Sequence, residues 1–415
     1  MFHFRFVLST LLFPFLFFAQ TSPKQFTVKY TEEPLMIDGI LDDPAWRIAE
    51  SAHGFQQYFP SDSVPALQQT DIKMLYNATT LFIGIKLDTE GDNYVIPSLE
   101  RDYRAGGNDN ISLLFDTFND GTNAFLFGMN PYGVRREALI SNGGAGPSGF
   151  ITSWDVKWQG ETKLYDGYYV CEIAIPLTSF KFKQGETKWR FNSYRFDMQT
   201  NEQSTWIEIP QNQLIYSLAF MGDMVFEKPL GRSRTPMAII PYTNGIAGKD
   251  YENNEDMSKL NFGADAKVSI GNGMNLDITV NPDFSNVEVD NFVTNLTRFE
   301  VSLPERRQFF IDNSDLFGSF GNNRDANPFF SRRIGIAENL DEETIENGIV
   351  AGIRLSGKIN ENWRLGLLNI QTEEDEENHI PSNNNTVFAL QKKLFSRSNL
   401  SFLFVNRQTF KEYDF

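Results

Sequence analysis

The sequence predicts an all-β chain in two parts, an N-terminal β-sandwich and part of a C-terminal antiparallel transmembrane β-barrel. Three observations carry this. The first half has short apolar runs separated by turn chemistry, no helical periodicity of any length occurs, and the second half alternates strictly, with short and long connections taking turns. Composition agrees, since 38 Phe, 14 Tyr and 6 Trp favour strands while 30 Gly and 18 Pro supply turns. With 37 Lys+Arg against 54 Asp+Glu the net charge is −17, which argues against a polyanion-binding surface and so against a nucleic-acid partner. A single Cys171 excludes an intramolecular disulfide or a Cys-based metal cluster, and three His argue against a multi-histidine zinc site.

Arg5 precedes an apolar run from Phe6 to Ala19, broken by Pro14 and followed by polar residues from Gln20 to Pro23. That order predicts a secretory signal peptide over residues 1–20, because the run is shorter than the roughly 20 residues of a spanning helix. No Cys follows it, so no lipid anchor is expected, and Cys171 reads as a small buried hydrophobe. Strands are expected at Thr80–Lys86, Ile111–Phe115, Ala124–Met129, Tyr168–Ile175 and Trp189–Phe196, parted by turns at Asn119-Asp120-Gly121, Asn130–Gly133 and Asp166-Gly167. This spacing predicts a sandwich over residues 26–228, with 229–236 as a linker.

Residues 237–415 read as an outer-membrane barrel region. In Leu260–Ile270 the even positions Leu260, Phe262, Ala264, Ala266, Val268 and Ile270 are apolar, while Asn261, Asp265, Lys267 and Ser269 are polar. Seven strands are expected, near Pro236 and from Leu260, Met274, Gly348, Trp363, Thr386 and Asn399. Short turns at Gly271–Gly273, Asn360–Asn362 and Ser396–Asn399 alternate with long connections at Lys249–Ser258, Pro282–Asn347 and Glu373–Asn385, as in barrels with tight periplasmic turns. Seven strands fall below the roughly eight of a closed barrel, so further strands are expected beyond Phe415. Phe299, Phe309, Phe310 and Phe317 need burial, so the longest connection is expected to fold as an insert in or over the lumen, against the alternative of a solvated loop.

The run from Pro34 to Trp46, reading Pro-Leu-Met-Ile-Asp-Gly-Ile-Leu-Asp-Asp-Pro-Ala-Trp, resembles the opening signature of family 9 carbohydrate-binding modules. Leu81–Gly84, Asp109–Asp116 and Gly167–Pro176 continue that resemblance. The blocks Asn281–Asp290, Leu296–Glu300, Pro304–Phe310 and Asn313–Phe317 look like family 5916 of domains of unknown function, whose members join a family 9-like module to an outer-membrane barrel region.

The first resemblance implies a sandwich that binds a sugar end between two Trp rings. Here Ala105-Gly106-Gly107 and Leu214-Ile215-Tyr216 stand at the corresponding places, and neither Trp is present. Tyr103 and Tyr216 are the substitute platform, with Arg101, Arg104, Asp109 and Gln213 as polar partners.

Asp116, Asn119 and Asp120 offer oxygen ligands of the kind calcium prefers, though Asn119-Asp120-Gly121 is also a hairpin turn; no other cofactor is expected. Trp46, Trp154, Trp158, Trp189 and Trp206 fit core positions better than a sugar face. Glu161, Glu172, Glu202 and Glu208 raise a glycoside hydrolase as a lesser alternative.

The expectation is an outer-membrane protein with its sandwich on the periplasmic side, binding an oligosaccharide or polysaccharide in glycan uptake or catabolism, with lipid and envelope proteins as further partners. The alternative is a docking module that has lost its sugar.

Overall fold

The computed structural model describes residues 24–415 except 63, 147–148, 232–236, 251–254, 272, 283–304, 319, 321–326, 340–343, 395–397 and 410–415. The expected signal peptide, most of the linker and most of the family 5916 block before residue 305 lie outside the described residues.

Fourteen strands build the first part: β1 (Gln25–Tyr30), β2 (Ser51–Ala52), β3 (Gln56–Phe59), β4 (Thr70–Tyr76), β5 (Thr80–Asp88), β6 (Asn110–Asp116), β7 (Ala124–Met129), β8 (Arg135–Ile140), β9 (Phe150–Ile151), β10 (Gln159–Tyr165), β11 (Tyr168–Pro176), β12 (Lys188–Asp197), β13 (Glu202–Thr205) and β14 (Gly222–Phe226). One layer runs β9-β8-β7-β6-β12-β14-β1 and the other β1-β4-β5-β11-β10. β1 joins them by pairing with β14 through Gln25–Val28 and with β4 through Lys29 and Tyr30. Each expected strand is present, extended by at most two residues.

Alternation then fills the space between the layers. Ile111, Leu113 and Phe115 of β6 meet Ile83, Ile85 and Leu87 of β5 in one core with Trp189, Phe191 and Trp206. All five tryptophans in question are buried, as core residues should be, and so is Cys171.

The Pro34–Trp46 segment covers the outer face of the second layer. Leu35, Ile37 and Leu41 pack with Trp46 over Leu75, Phe82 and Ala174. Gly84 leaves the room: a Cβ there would lie 2.5 Å from Leu41 Cδ2 and 3.3 Å from Trp46. Glu172 fixes the segment by accepting from Asp38 N at 3.0 Å, Gly39 N at 3.2 Å and Trp46 Nε1 at 3.1 Å.

The second part is a seven-stranded antiparallel sheet in the order β15 (Met237–Asp250), β16 (Glu255–Ile270), β17 (Met274–Val280), β20 (Ile349–Lys358), β21 (Trp363–Thr372), β22 (Asn383–Leu394) and β23 (Ser398–Thr409). A separate hairpin, β18 (Ile336–Glu338) with β19 (Thr344–Glu346), lies between β17 and β20. The strand count agrees with the sequence reading, but no closed barrel forms: β15 and β23 have no second neighbour among the described residues. One connection differs. Strand pairing runs on to Asp250 and Glu255, so most of Lys249–Ser258 is strand rather than a long loop. No described helix is long and apolar enough to cross a membrane.

Polarity is inverted along β17 and in part of β20. Along β17, Asn275, Asp277 and Thr279 are buried while Ile278 and Val280 are exposed. Along β20, Arg354 is 1% exposed and Ile353 43%. Phe262, Leu400, Phe402 and Phe404 each stand more than half exposed. The insert covers the inner face through α1 (Gln308–Ile311) and α2 (Asp315–Gly318), whose Phe310, Leu316 and Phe317 pack on an apolar patch of Leu368, Ile370, Val387 and Ala389. The described part of the long connection is thus packed on the sheet rather than a solvated loop, with no closed lumen around it among the described residues.

Candidate functional site

The outer face of the β6–β12 layer carries Tyr216, one of the residues the sequence singled out. Alternate positions Leu114, Leu126, Ala138, Ile140 and Tyr194 form an apolar floor, partly covered by Ile215, Leu218 and Met221. Tyr58, Phe150, Phe196 and Tyr216 edge this floor half-buried, leaving ring surface in solvent. Apolar sugar faces stack on such rings.

Tyr103 and Tyr216 do not face each other across open space. Tyr103 is 5% exposed, and its hydroxyl has no hydrogen-bond partner. The Arg136 guanidinium lies 5.7 Å from the Tyr103 ring and 5.4 Å from the Phe150 ring, and Phe150 meets Tyr216 edge-on at 5.3 Å. Arg136 and Phe150 thus bridge the gap between the two tyrosines. Arg136 is 4% exposed, donates to Ser112 Oγ at 3.4 Å and has no carboxylate within ion-pair distance among the described residues. A buried arginine without an ion-pair partner is uncommon. Its only sequence signal is the Arg135-Arg136-Glu137 run in a strand, where alternation must turn one charge onto this face.

The remaining predicted partners separate into different roles. Arg101 pairs with Glu137 and, at 2.9 Å, with Asp155. Glu137 also accepts from Trp158 Nε1 at 3.1 Å; burial first, and then Asp155, push its carboxyl up to about 7. Asp109 accepts from Val95 N at 2.6 Å and Met198 N at 2.7 Å, so it ties two loops together. Arg104 and Gln213 are exposed. The Gln213 carbonyl accepts from Tyr58 Oη at 2.7 Å, which holds that ring at the edge of the floor.

At the turn after β6, Asp116 accepts from Phe118 N at 3.2 Å, Asp120 N at 3.3 Å and Gly121 N at 2.7 Å. Burial, and then the neighbouring Asp120, raise its carboxyl to about 6. Burial works against Asp120, but Lys358 beside it holds that carboxyl below its usual range. Asn119 Nδ2 donates to Lys188 O at 2.7 Å. The carboxylates of Asp116 and Asp120 are thus engaged by protein donors in a turn, with Asn119 and Gly121 at positive φ, while Asn119 Oδ1 is buried without a hydrogen-bond partner. No three His, Cys, Asp or Glu come together as a metal site among the described residues.

Of the four glutamates weighed for hydrolysis, Glu172 holds the Pro34–Trp46 segment, and Glu202 accepts from Gln57 Nε2 at 2.6 Å and from Leu67 N. Glu161 and Glu208 are exposed on separate elements. No facing pair of carboxylates results.

The sandwich meets the sheet at the short-turn end. Lys358, at the end of β20, pairs with Asp120; Lys393 Nζ donates to Asp120 O at 2.8 Å; Lys183 pairs with Glu361 at 3.4 Å. A cavity of about 70 Å³ lies at this junction, lined in part by Thr117, Asn123, Trp154, Gly273 and Asp315.

Residues 234–411 match Domain of unknown function (DUF5916). The DUF5916 region thus coincides with the seven-stranded sheet and its insert. No curated protein matches the chain. Among solved structures, the chain is similar to a family 9 carbohydrate-binding module from Caldicellulosiruptor kristjanssonii in complex with cellotriose, at 16% identity and a TM-score of 0.36 over 51% of this chain and 95% of that one. The module with glucose gives 16% identity and 0.35, over 51% and 98%. A Bacteroides uniformis protein described as carbohydrate-binding gives 13% identity and 0.41, over 50% and 100%.

Proposed function

We propose that this chain is an outer-membrane protein. Its seven-stranded sheet is part of a lipid-embedded barrel, and its sandwich lies at the periplasmic end and takes a glycan on its half-exposed aromatic face. The observation that carries the reading is the apolar outer face of the sheet. A soluble sheet leaves its outer face polar, whereas this one turns Phe262, Ile278, Ile353, Phe402 and Phe404 outward and buries Asp277, Arg354 and Arg364 alongside the apolar patch under the insert. Hydrocarbon is the solvent that such a surface fits, and barrel strands alternate in this sense. Short turns of outer-membrane barrels face the periplasm, and the sandwich contacts lie at the short-turn end.

The glycan part rests on Tyr58, Phe150, Phe196 and Tyr216, with Arg136 against Phe150 and Arg104 and Gln213 exposed. Uptake or catabolism of the bound glycan is the matching role. The full chain in detergent, screened on an oligosaccharide array, should bind at least one class, and Tyr216→Ala and Phe150→Ala should each weaken it by up to about tenfold, in line with about 0.5–1.5 kcal/mol per stacked ring. No binding to any oligosaccharide or peptidoglycan fragment would remove this part and leave the membrane reading standing.

A second reading is a docking module for envelope proteins. What favours it is the bridge of Arg136 and Phe150 between Tyr103 and Tyr216, which fills the gap a sandwiched sugar would need.

A further inference from the structure

The insert is gripped from two sides. Phe310, Leu316 and Phe317 pack on the inner face of the sheet, while the adjacent Ile311 packs into the main core of the sandwich. Phe317 sits on Gly366 and Phe309 on Gly352, so the wall is cut back to glycine beneath two insert rings.

Charges follow the same division. The carboxylate of Asp312 pairs with Lys181 of the sandwich at 3.2 Å and with Lys267 of β16. The Asp312 carbonyl accepts from Arg354 Nη1 at 2.8 Å, and Arg354 pairs with Asp277 at 2.9 Å. Strand register places Lys267 opposite Asp277, so Lys267, Asp277 and Arg354 span three neighbouring strands. One turn further on, Asp315 holds Arg364 of β21 with two bonds of 2.6 and 3.0 Å. Asp312 is 3% exposed, and neither the sandwich nor the wall alone supplies its cations. A buried carboxylate that loses one of two cations is left undercompensated, so the groups hold or release together. The adjoining cavity of about 70 Å³, lined by Lys181, Asp312, Asp315 and Lys358 together with apolar residues such as Phe125 and Trp154, has room for more than one water. An ion-paired seam beside a cavity parts more readily than a continuous apolar core, and Ile311 is the insert side chain that the sandwich core shares.

We propose that Asp312 is the pin of a latch that seats the insert as a plug on the barrel wall and couples it to the sandwich, so that undocking the sandwich frees the plug. This rests on the membrane reading of the sheet. Occupation of the sandwich, by whatever it binds, then has a mechanical route to the lumen.

The test uses the full chain in lipid vesicles with Ser314→Cys as reporter, native Cys171 being buried. Labelling by a charged maleimide should be slow in the parent and at least tenfold faster with Lys181→Met, and Lys181→Arg should restore the slow rate. Asp312→Asn should accelerate labelling equally. Unchanged labelling in Lys181→Met would overturn the latch, and this variant keeps the question answerable if Asp312→Asn fails to fold. Failure of the parent chain to enter vesicles would instead sink the membrane reading, which separates the two failures.

Discussion

At the residue scale, burial decides what each charged group can do. Glu137 has an ordinary value of 4.5 that its surroundings raise to about 7. Below pH 4.5 the carboxyl is protonated folded or unfolded, and its contribution to stability is fully present. As pH rises from about 4.5 through about 7, the unfolded chain gives up the proton first, so stability falls across that window, by on the order of 3 kcal/mol. Glu137→Gln should therefore flatten the pH dependence, and urea unfolding followed by tryptophan fluorescence at pH 4 and pH 8 checks it. Glu172→Ala acts differently, since it strands the donors of Asp38, Gly39 and Trp46. It should cost about 3 kcal/mol or more in the same assay. Tyr103, Asp109 and Arg101 were legible as a cluster near one loop, but not as buried or paired. A sequence lists donors and acceptors without saying which backbone amides reach them. Arg136 was missed for a related reason, because a charge inside an apolar strand reads as surface until the floor beneath it is seen.

At the element scale, strands and turns were legible where alternation and turn chemistry coincide. Ala124–Met129 appears with the bounds expected, and Gly167 takes a φ of +76° in the Asp166-Gly167 turn. The connection Lys249–Ser258 was misjudged because polar residues such as Lys249 and Ser258 are compatible with either a loop or the watery end of a long strand. The insert tests its own packing. A Cβ at residue 366 would lie 2.7 Å from Phe317 Cζ. Gly366→Val should cost about 1–3 kcal/mol of insert packing and open the α1–α2 segment to limited proteolysis, while the seven strands stay protected. Equal protection in parent and variant would show that Phe317 does not hold the insert.

At the scale of the whole molecule, the two halves differ in what they leave exposed. The sandwich hides Phe115, Phe127 and Trp189, while the sheet displays Phe402 and Phe404 and hides Arg354 and Arg364. Period-2 alternation is visible in sequence for both, yet alternation alone does not say which face meets water. For the second half the lipid-facing side is read from the arrangement of connections, one of which, Lys249–Ser258, is mostly strand. Closure is a property of the ladder, and the open edges at β15 and β23 become visible only once the register is known.

The central claim, that the apolar face of the sheet meets lipid, is tested most directly by nitroxide collision measurements on the full chain in outer-membrane vesicles. Labels are placed singly at Ile278→Cys, Ile353→Cys and Phe402→Cys; native Cys171 is buried, with its thiol pushed up to about 12, and stays unlabelled. Oxygen should quench these labels far more than a water-soluble nickel chelate, whereas a label at Asp155→Cys on the exposed sandwich surface should show the reverse. Quenching at Ile278, Ile353 and Phe402 dominated by the chelate would place this face in water and contradict the account.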